Sequence, residues 1–303
     1  MSVRELVVLG TASQVPTRHR NHNGYFLRWD GHGFMFDPGE GTQRQMVHYG
    51  VTATSITRVL ISHFHGDHCL GFASLVQRIS LDNVPHTIDA YYPSSGQRYY
   101  DRLRHASIFH DVANVRPCPI ERAGQSEPFD QLTLSWLPLS HGVDCYGYRI
   151  QEAPQFRFDK AKLASAGIKG PVVGDLMRGK SVEFGGKTVR REDYGELRRG
   201  ASVAFVMDTR VCDSATELAR DVDLLVIEST YLHEAAADAK KNGHLTAREA
   251  ATIGAEAGAR RVVLTHFSQR YNDLAPFLAE ASEVHPDVVC AKDGLVVGIP
   301  RPE

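Results

Sequence analysis

The 303-residue chain has no apolar run approaching the roughly 18 residues of a membrane-spanning helix, and the run before Gly10 is too short for the apolar stretch of a secretory leader. A soluble, cytoplasmic protein without a membrane partner is therefore expected. Cysteine is scarce as well: Cys69, Cys118, Cys145, Cys212 and Cys290 are odd in number, scattered, and form no C-x-x-C pair. This spacing suggests neither a disulfide framework nor a thiolate metal site. Positive charge is not in excess. The formal net charge is −2, which argues against a basic coat over the whole surface, although a local field can still attract a polyanion. There is no internal repeat and no low-complexity tract. What the chain does have is ample apolar content, 42% of residues, and 15 histidines.

Short β-type runs occur at 5–9, 25–29, 34–37, 58–62, 87–92 and 132–139. Later runs at 203–208, 223–228, 261–266 and 294–299 are separated by helical patterns, notably 247–257 and 274–283. A β-rich first half and a βα-alternating second half predict a mixed α/β fold. Between Ile150 and Ala201 the rhythm fails. Gly167, Gly170, Pro171, Gly174, Gly179, Gly185 and Gly186 punctuate short charged segments with little apolar area to offer a core. Residues 151–200 carry 11 Lys and Arg against 7 Asp and Glu. They read as a locally basic arm inserted into one domain spanning 1–303.

The histidines cluster where chemistry is expected. Ser62-His63-Phe64-His65-Gly66-Asp67-His68 follows the apolar strand 58–61 directly, so four donors sit on a tight turn at a strand's C-terminal end. Residues two apart in extended chain share a side, so His63 and His65 can converge on one ion. Gly66 lets the chain turn and present Asp67 and His68 to a second. Four side chains cannot complete two metal shells, so other strand ends must contribute. His141 follows the run 132–139, Asp208 ends 203–208, and His266 ends 261–266. Each is an ionisable residue placed immediately after β-type sequence.

This H-x-H-x-D-H turn followed by distant His, Asp and His resembles the metallo-β-lactamase superfamily. The resemblance implies an α/β fold, the αβ/βα four-layer sandwich. It also implies two zinc ions per subunit, with manganese or another divalent ion as a possible substitute. One ion would take His63, His65 and His141, the other Asp67, His68 and His266, with Asp208 bridging. Asp67 is in addition a candidate for a direct catalytic role.

Further segments resemble one branch, the ribonuclease Z family, whose members trim 3′ trailers from tRNA precursors. Pro16-Thr17-Arg18-His19-Arg20-Asn21 is similar to its phosphate-contacting loop, which implies Arg18, Arg20 and Asn21 as substrate contacts. Ile227-Glu228-Ser229-Thr230 and Gly243-His244-Leu245-Thr246 match two further motifs, with Ser229 where the family usually has Ala. Departure of the 3′ oxygen requires a proton, which His244 can supply if Glu228 orients its ring and favours imidazolium. Thr265-His266-Phe267-Ser268-Gln269-Arg270 is similar to the last ligand motif, which implies Ser268 and Arg270 near the phosphate. Met207 precedes Asp208 where the family usually has Gly.

The segment Gly170-Pro171-Val172-Val173-Gly174-Asp175 resembles the Gly-Pro-containing exosite of short-form members, and the local basicity suits contacts to tRNA backbone. The resemblance implies a zinc-dependent endoribonuclease acting on precursor tRNA. Its products would be a 3′-hydroxyl tRNA and a 5′-phosphorylated trailer. A homodimer, each arm serving the partner's site, is also implied. A general phosphodiesterase or arylsulfatase-like hydrolase on the same two-metal site is the alternative. It would leave the arm without a role.

Overall fold

A computed structural model describes residues 3–300. Two seven-stranded sheets carry the architecture. The first contains β1 (Arg4–Gly10), β2 (Gly24–Trp29), β3 (His32–Phe36), β4 (Arg58–Leu60), β5 (Ile88–Pro93) and β6 (Val115–Ile120). The second begins with β7 (Gly124–Gln125), β8 (Leu132–Pro138) and β9 (Tyr146–Glu152). Four short strands of the arm follow: β10 (Gln155–Phe158), β11 (Val182–Phe184), β12 (Lys187–Val189) and β13 (Gly195–Arg198). The second sheet then resumes with β14 (Ser202–Val206), β15 (Leu224–Glu228), β16 (Val262–Thr265) and β17 (Val288–Cys290), and β18 (Val296–Gly298) returns to the first sheet beside β1. The orders are β18-β1-β2-β3-β4-β5-β6 and β17-β16-β15-β14-β9-β8-β7.

Alternating side chains let each sheet bury both faces. Tyr25, Leu27, Phe34, Phe36, Leu134, Tyr148, Phe205 and Val226 fill the space between the sheets. Phe26, Met35, Val59 and Ala90 pack in one cluster with the helix Gly71–Leu81, while Ala204 and Val206 lie on the side of the helix Asp213–Ala219, and Leu225 and Val262 on that of the helix Ala247–Glu256. The result is helices outside two packed sheets, the sandwich that the α/β reading expected. Among the described residues no helix is long and apolar enough to cross a membrane. At the end of the sandwich away from the histidines, Arg4 forks onto both oxygens of Glu152 at 2.7 and 2.9 Å, joining β1 to β9.

The arm departs from its sequence reading in one respect. β9 runs through Glu152, and β10 pairs with β13 as a two-stranded stalk with Gln155 opposite Arg198. Beyond it, the helices Lys160–Ser165 and Pro171–Met177 and the β11–β12 hairpin bury Leu163, Ile168, Leu176 and Val189 together. The segment therefore has a small apolar cluster of its own. Its few aliphatic residues are spread over 27 positions, so no window of sequence displays them.

Candidate active site

Six strand ends converge at one edge of the two sheets. β3 ends before Asp37, β4 before His63, β8 before His141, β14 before Asp208 and β16 before His266, while Glu228 closes β15. Asp37, Asp208 and His266 have positive φ of 41°, 41° and 62°. Such backbone costs about 1–3 kcal/mol per residue and persists only where surrounding contacts hold it. It swings each side chain off its sheet toward the common point. The histidine turn differs in detail from expectation: Gly66–Cys69 is a single helical turn, and Gly66 is not left-handed.

All seven proposed donors meet. His63 Nε2 is 2.9 Å from His65 Nδ1, and His65 Nδ1 is 3.3 Å from His141 Nε2. On the other side, Asp67 Oδ2 lies 3.2 Å from His68 Nε2 and 3.4 Å from His266 Nε2. Asp208 stands between the two groups. Its Oδ2 is 3.6 and 3.7 Å from His63 and His141, and its Oδ1 is 3.3 and 3.2 Å from His68 and His266. Four donors around a tetrahedral zinc sit ~3.3 Å apart, given bonds near 2.0–2.1 Å. The observed spacings fit that requirement.

The far nitrogens are fixed too. His68 Nδ1 is 2.8 Å from Asp37 Oδ2, His63 Nδ1 is 3.0 Å from Ser62 Oγ, and His141 Nδ1 is 3.0 Å from the Gly243 carbonyl. His266 Nδ1 lies 2.7 Å from Thr230 Oγ1, whose hydroxyl donates to Glu228 Oε2 at 2.6 Å. Acceptors at Nδ1 keep the proton there and leave each Nε2 lone pair turned into the site. Asp208 Oδ1 and His266 Nε2 are buried without a hydrogen-bond partner. Two electron-pair donors without a hydrogen, orphaned and aimed at one space among imidazoles and carboxylates, are what a divalent cation would satisfy.

Electrostatics agree. Burial holds His63, His65 and His141 below the ordinary histidine range, keeping them neutral as ligands must be. Burial also opposes charge on His68, but Asp208, Asp67 and Asp37 outweigh it and hold the group well above that range. Asp208 is driven well below the carboxylate range despite its burial, because His266, His68 and His244 surround it. This half of the cluster stabilises positive charge, and a metal competes with protons for the place.

Asp37 was not singled out from the sequence. It is fully buried, accepts from Ser62 N at 2.6 Å and Ser62 Oγ at 2.7 Å, and holds His68. The signal was present, since Asp37 ends a β-type run as Asp208 does. Asp37→Asn is expected to weaken divalent-ion affinity about 10- to 100-fold, the usual cost of losing such an orienting partner. Calorimetric titration of metal-free protein would measure it, and unchanged affinity would contradict the assignment.

The cluster floors a cleft of about 390 Å³ walled by Ser13, Tyr231, Asn242, His244, Ser268 and Arg270. His244 Nδ1 is 3.0 Å from Glu228 Oε1, and that carboxylate also accepts from Thr209 N and Thr230 N at 3.0 and 3.1 Å. Burial works against the imidazolium, but Glu228 and Asp208 prevail and raise His244 to about 9. Arg270 sits on the rim, 3.2 Å from Asp238 and with its guanidinium over Tyr231.

Two substrate contacts implied by resemblance are placed otherwise. Arg20 is buried, and its Nη2 donates to the carbonyls of Ser268 and Tyr271 at 3.2 and 2.8 Å. Asn21 donates from its side chain to the carbonyls of His22 and Glu40. In both, side-chain donors are taken by backbone carbonyls, which fastens the loop. Arg18 alone of the three is exposed. Gly170, at φ 62°, and Pro171, the first residue of its helix, lie on the arm and not in the cleft.

Comparison with known proteins accords with this geometry. A family model described as "Anti-Pycsar protein Apyc1" matches residues 4–99, and the "Beta-lactamase superfamily domain" matches 194–267. The chain is 53% identical over 295 residues to the ribonuclease Z of Nocardia farcinica, covering 97% of each chain. It is 50% identical over 301 residues to that of Salinispora arenicola, covering 99% of this chain and 97% of the relative. Among solved structures, the human short-form tRNase Z superposes with a TM-score of 0.71 at 25% identity, covering 98% of this chain and 99% of the other. The metallo-β-lactamase-fold protein YhfI of Bacillus subtilis gives 0.71 at 20% identity, with the same coverage. The chain belongs to the ribonuclease Z family of the metallo-β-lactamase superfamily.

Proposed function

We propose that this protein removes the 3′ trailer from tRNA precursors, leaving a 3′-hydroxyl tRNA and a 5′-phosphorylated trailer. The observation that carries the reading is that His244, backed by Glu228, opens onto the same cleft as the seven-donor cluster. His63, His65 and His141 would hold one zinc ion and Asp67, His68 and His266 a second, with Asp208 shared. Bound there, the ions supply a nucleophile from water at neutral pH and positive charge for the phosphate oxygens. Glu228 takes the Nδ1 proton of His244 as a hydrogen bond, so the proton on Nε2 faces the cleft and can pass to the departing 3′ oxygen. Asp67 serves as a ligand whose carboxylate stays ionised. Arg270 and Ser268, on the rim, suit contacts to the phosphates on either side. Incubation of zinc-loaded protein with end-labelled precursor tRNA tests the reading. A cut just after the discriminator nucleotide is expected, and no cut would overturn it.

The arm reads as a separate tRNA-backbone contact within the single domain, and a homodimer would bring one protomer's arm to its partner's cleft. Arg157, Lys160, Lys162 and Lys169 are exposed on it. Arg178 and Lys180 lie by Asp175, at 2.8 and 3.8 Å. Because Gln155 pairs with Arg198, residues 156–197 can be replaced by a two-residue turn without cutting the main sheet. The shortened protein is expected to show a KM for precursor tRNA raised roughly 10-fold or more, with hydrolysis of bis(p-nitrophenyl) phosphate retained. Equal loss on both substrates would contradict a remote binding role.

A further inference from the structure

The loop 13–21 has two faces. Ser13, Gln14 and Val15 wall the catalytic cleft, while Pro16 to Asn21 wall a second cleft of about 480 Å³ on the other side. The opposite wall of this second cleft is the short helix Thr42–His48, which contributes Arg44 and His48. Arg18, Arg44 and His48 are exposed and have no acidic partner among the described residues. Many other arginines of the surface are paired, among them Arg28, Arg78, Arg116, Arg220, Arg248 and Arg261. The acid of this cleft is Asp293, already engaged by Thr11 Oγ1, Asn21 N and Gln45 Nε2 at 2.8, 2.7 and 3.2 Å.

The walls are also rigidly joined. Asn21 donates to the Glu40 carbonyl just before the helix, and Gln45 on the helix donates to the Leu9 carbonyl. The same segment backs onto the metal turn, since Gly39 packs so closely on the Asp67 carbonyl that a Cβ there would stand 2.2 Å from it. Two unpaired guanidinium groups and an imidazole donor, held one loop's thickness from the catalytic cleft, are arranged to receive a phosphate.

We infer that Arg44 and His48, with Arg18 across from them, form a phosphate subsite for the RNA strand that leaves the catalytic cleft over residues 13–21. The inference rests on the proposed ribonuclease function. The strand is either the trailer or the tRNA body near the cut, which share this chemistry.

Arg44→Gln, His48→Gln and their combination test it, with precursor tRNAs whose trailers range from one nucleotide to several. Each variant is expected to raise KM about 3- to 10-fold, and Arg44→Gln, alone or in the combination, to lower the slope of log KM against log salt by about 0.7–1. Turnover of bis(p-nitrophenyl) phosphate and the melting temperature should match wild type. An effect that grows with trailer length supports the inference and assigns the phosphate to the trailer. An effect equal at all lengths supports it and assigns the phosphate to the tRNA body. KM and salt slope like those of wild type on every substrate overturn it, while cleavage of precursor by the variants leaves the proposed function standing. Failure of the wild-type protein to cut any precursor overturns both.

Discussion

Replacing Asp208 with Ala is expected to reduce cleavage of precursor tRNA by about 10³-fold or more, the scale of removing several kcal/mol of metal-based transition-state stabilisation. If the seven donors hold two ions as proposed, bound metal should fall to one per chain or fewer. The two oxygens of Asp208 divide between the halves of the cluster at 3.2–3.7 Å. Without it, one half keeps three imidazoles and no carboxylate, and neutral donors alone hold a divalent ion less firmly. Asp208→Asn separates charge from shape. Asn tolerates the positive φ at this position and keeps one oxygen, so a folded N variant with depleted metal locates the effect in the charge. Two ions retained, measured by elemental analysis, together with near-normal cleavage, would sink the bridging role.

The sandwich was legible where strands announce themselves by apolar runs, as at Val59–Ile61, Val203–Val206 and Leu224–Ile227. It was not legible at β6, whose sequence Val-Arg-Pro-Cys-Pro-Ile carries two prolines. Proline is tolerated there because β6 is the last strand of its sheet and has an unpaired edge. Nor was β9 singled out, although Tyr146, Tyr148 and Ile150 alternate into the core, because Gly147 and Arg149 dilute its apolar content.

The convergence of the proposed metal donors was legible for a physical reason. A ligand needs a strand end to fix it and an ionisable atom to bind with, and both leave marks in sequence. Arg20 shows the limit of that logic. An arginine in a basic loop has the same appearance whether its guanidinium meets a phosphate or two carbonyls of Ser268 and Tyr271, and only the fold decides. Within the loop that the resemblance singled out, Arg18 is exposed and Arg20 is buried. Thr230 is a similar case. It stands inside a recognised motif, yet its link from Glu228 to His266 appears only when β15 and β16 lie side by side, Glu228 opposite Thr265.

Replacing His244 with Ala is expected to lower kcat on precursor tRNA about 10²- to 10⁴-fold, the range for loss of a positioned general acid, with both metals retained. The comparison that isolates the role is the leaving group. A ribose 3′ oxygen departs as a strongly basic alkoxide unless protonated, whereas p-nitrophenolate departs as a stabilised anion. Loss on bis(p-nitrophenyl) phosphate should therefore be small. Glu228→Gln is expected to follow the same pattern more weakly, because Gln preserves the contact with Thr230 but withdraws the charge that favours imidazolium at His244. A structural role for His244 predicts something else. It packs against His141 and His266, at ring distances of 5.4 and 5.3 Å, so disturbing the cluster would cost metal and would slow both substrates alike. Equal loss on the two substrates, or loss of metal in the Ala variant, would remove His244 from the proton's path and leave it as a wall of the cleft.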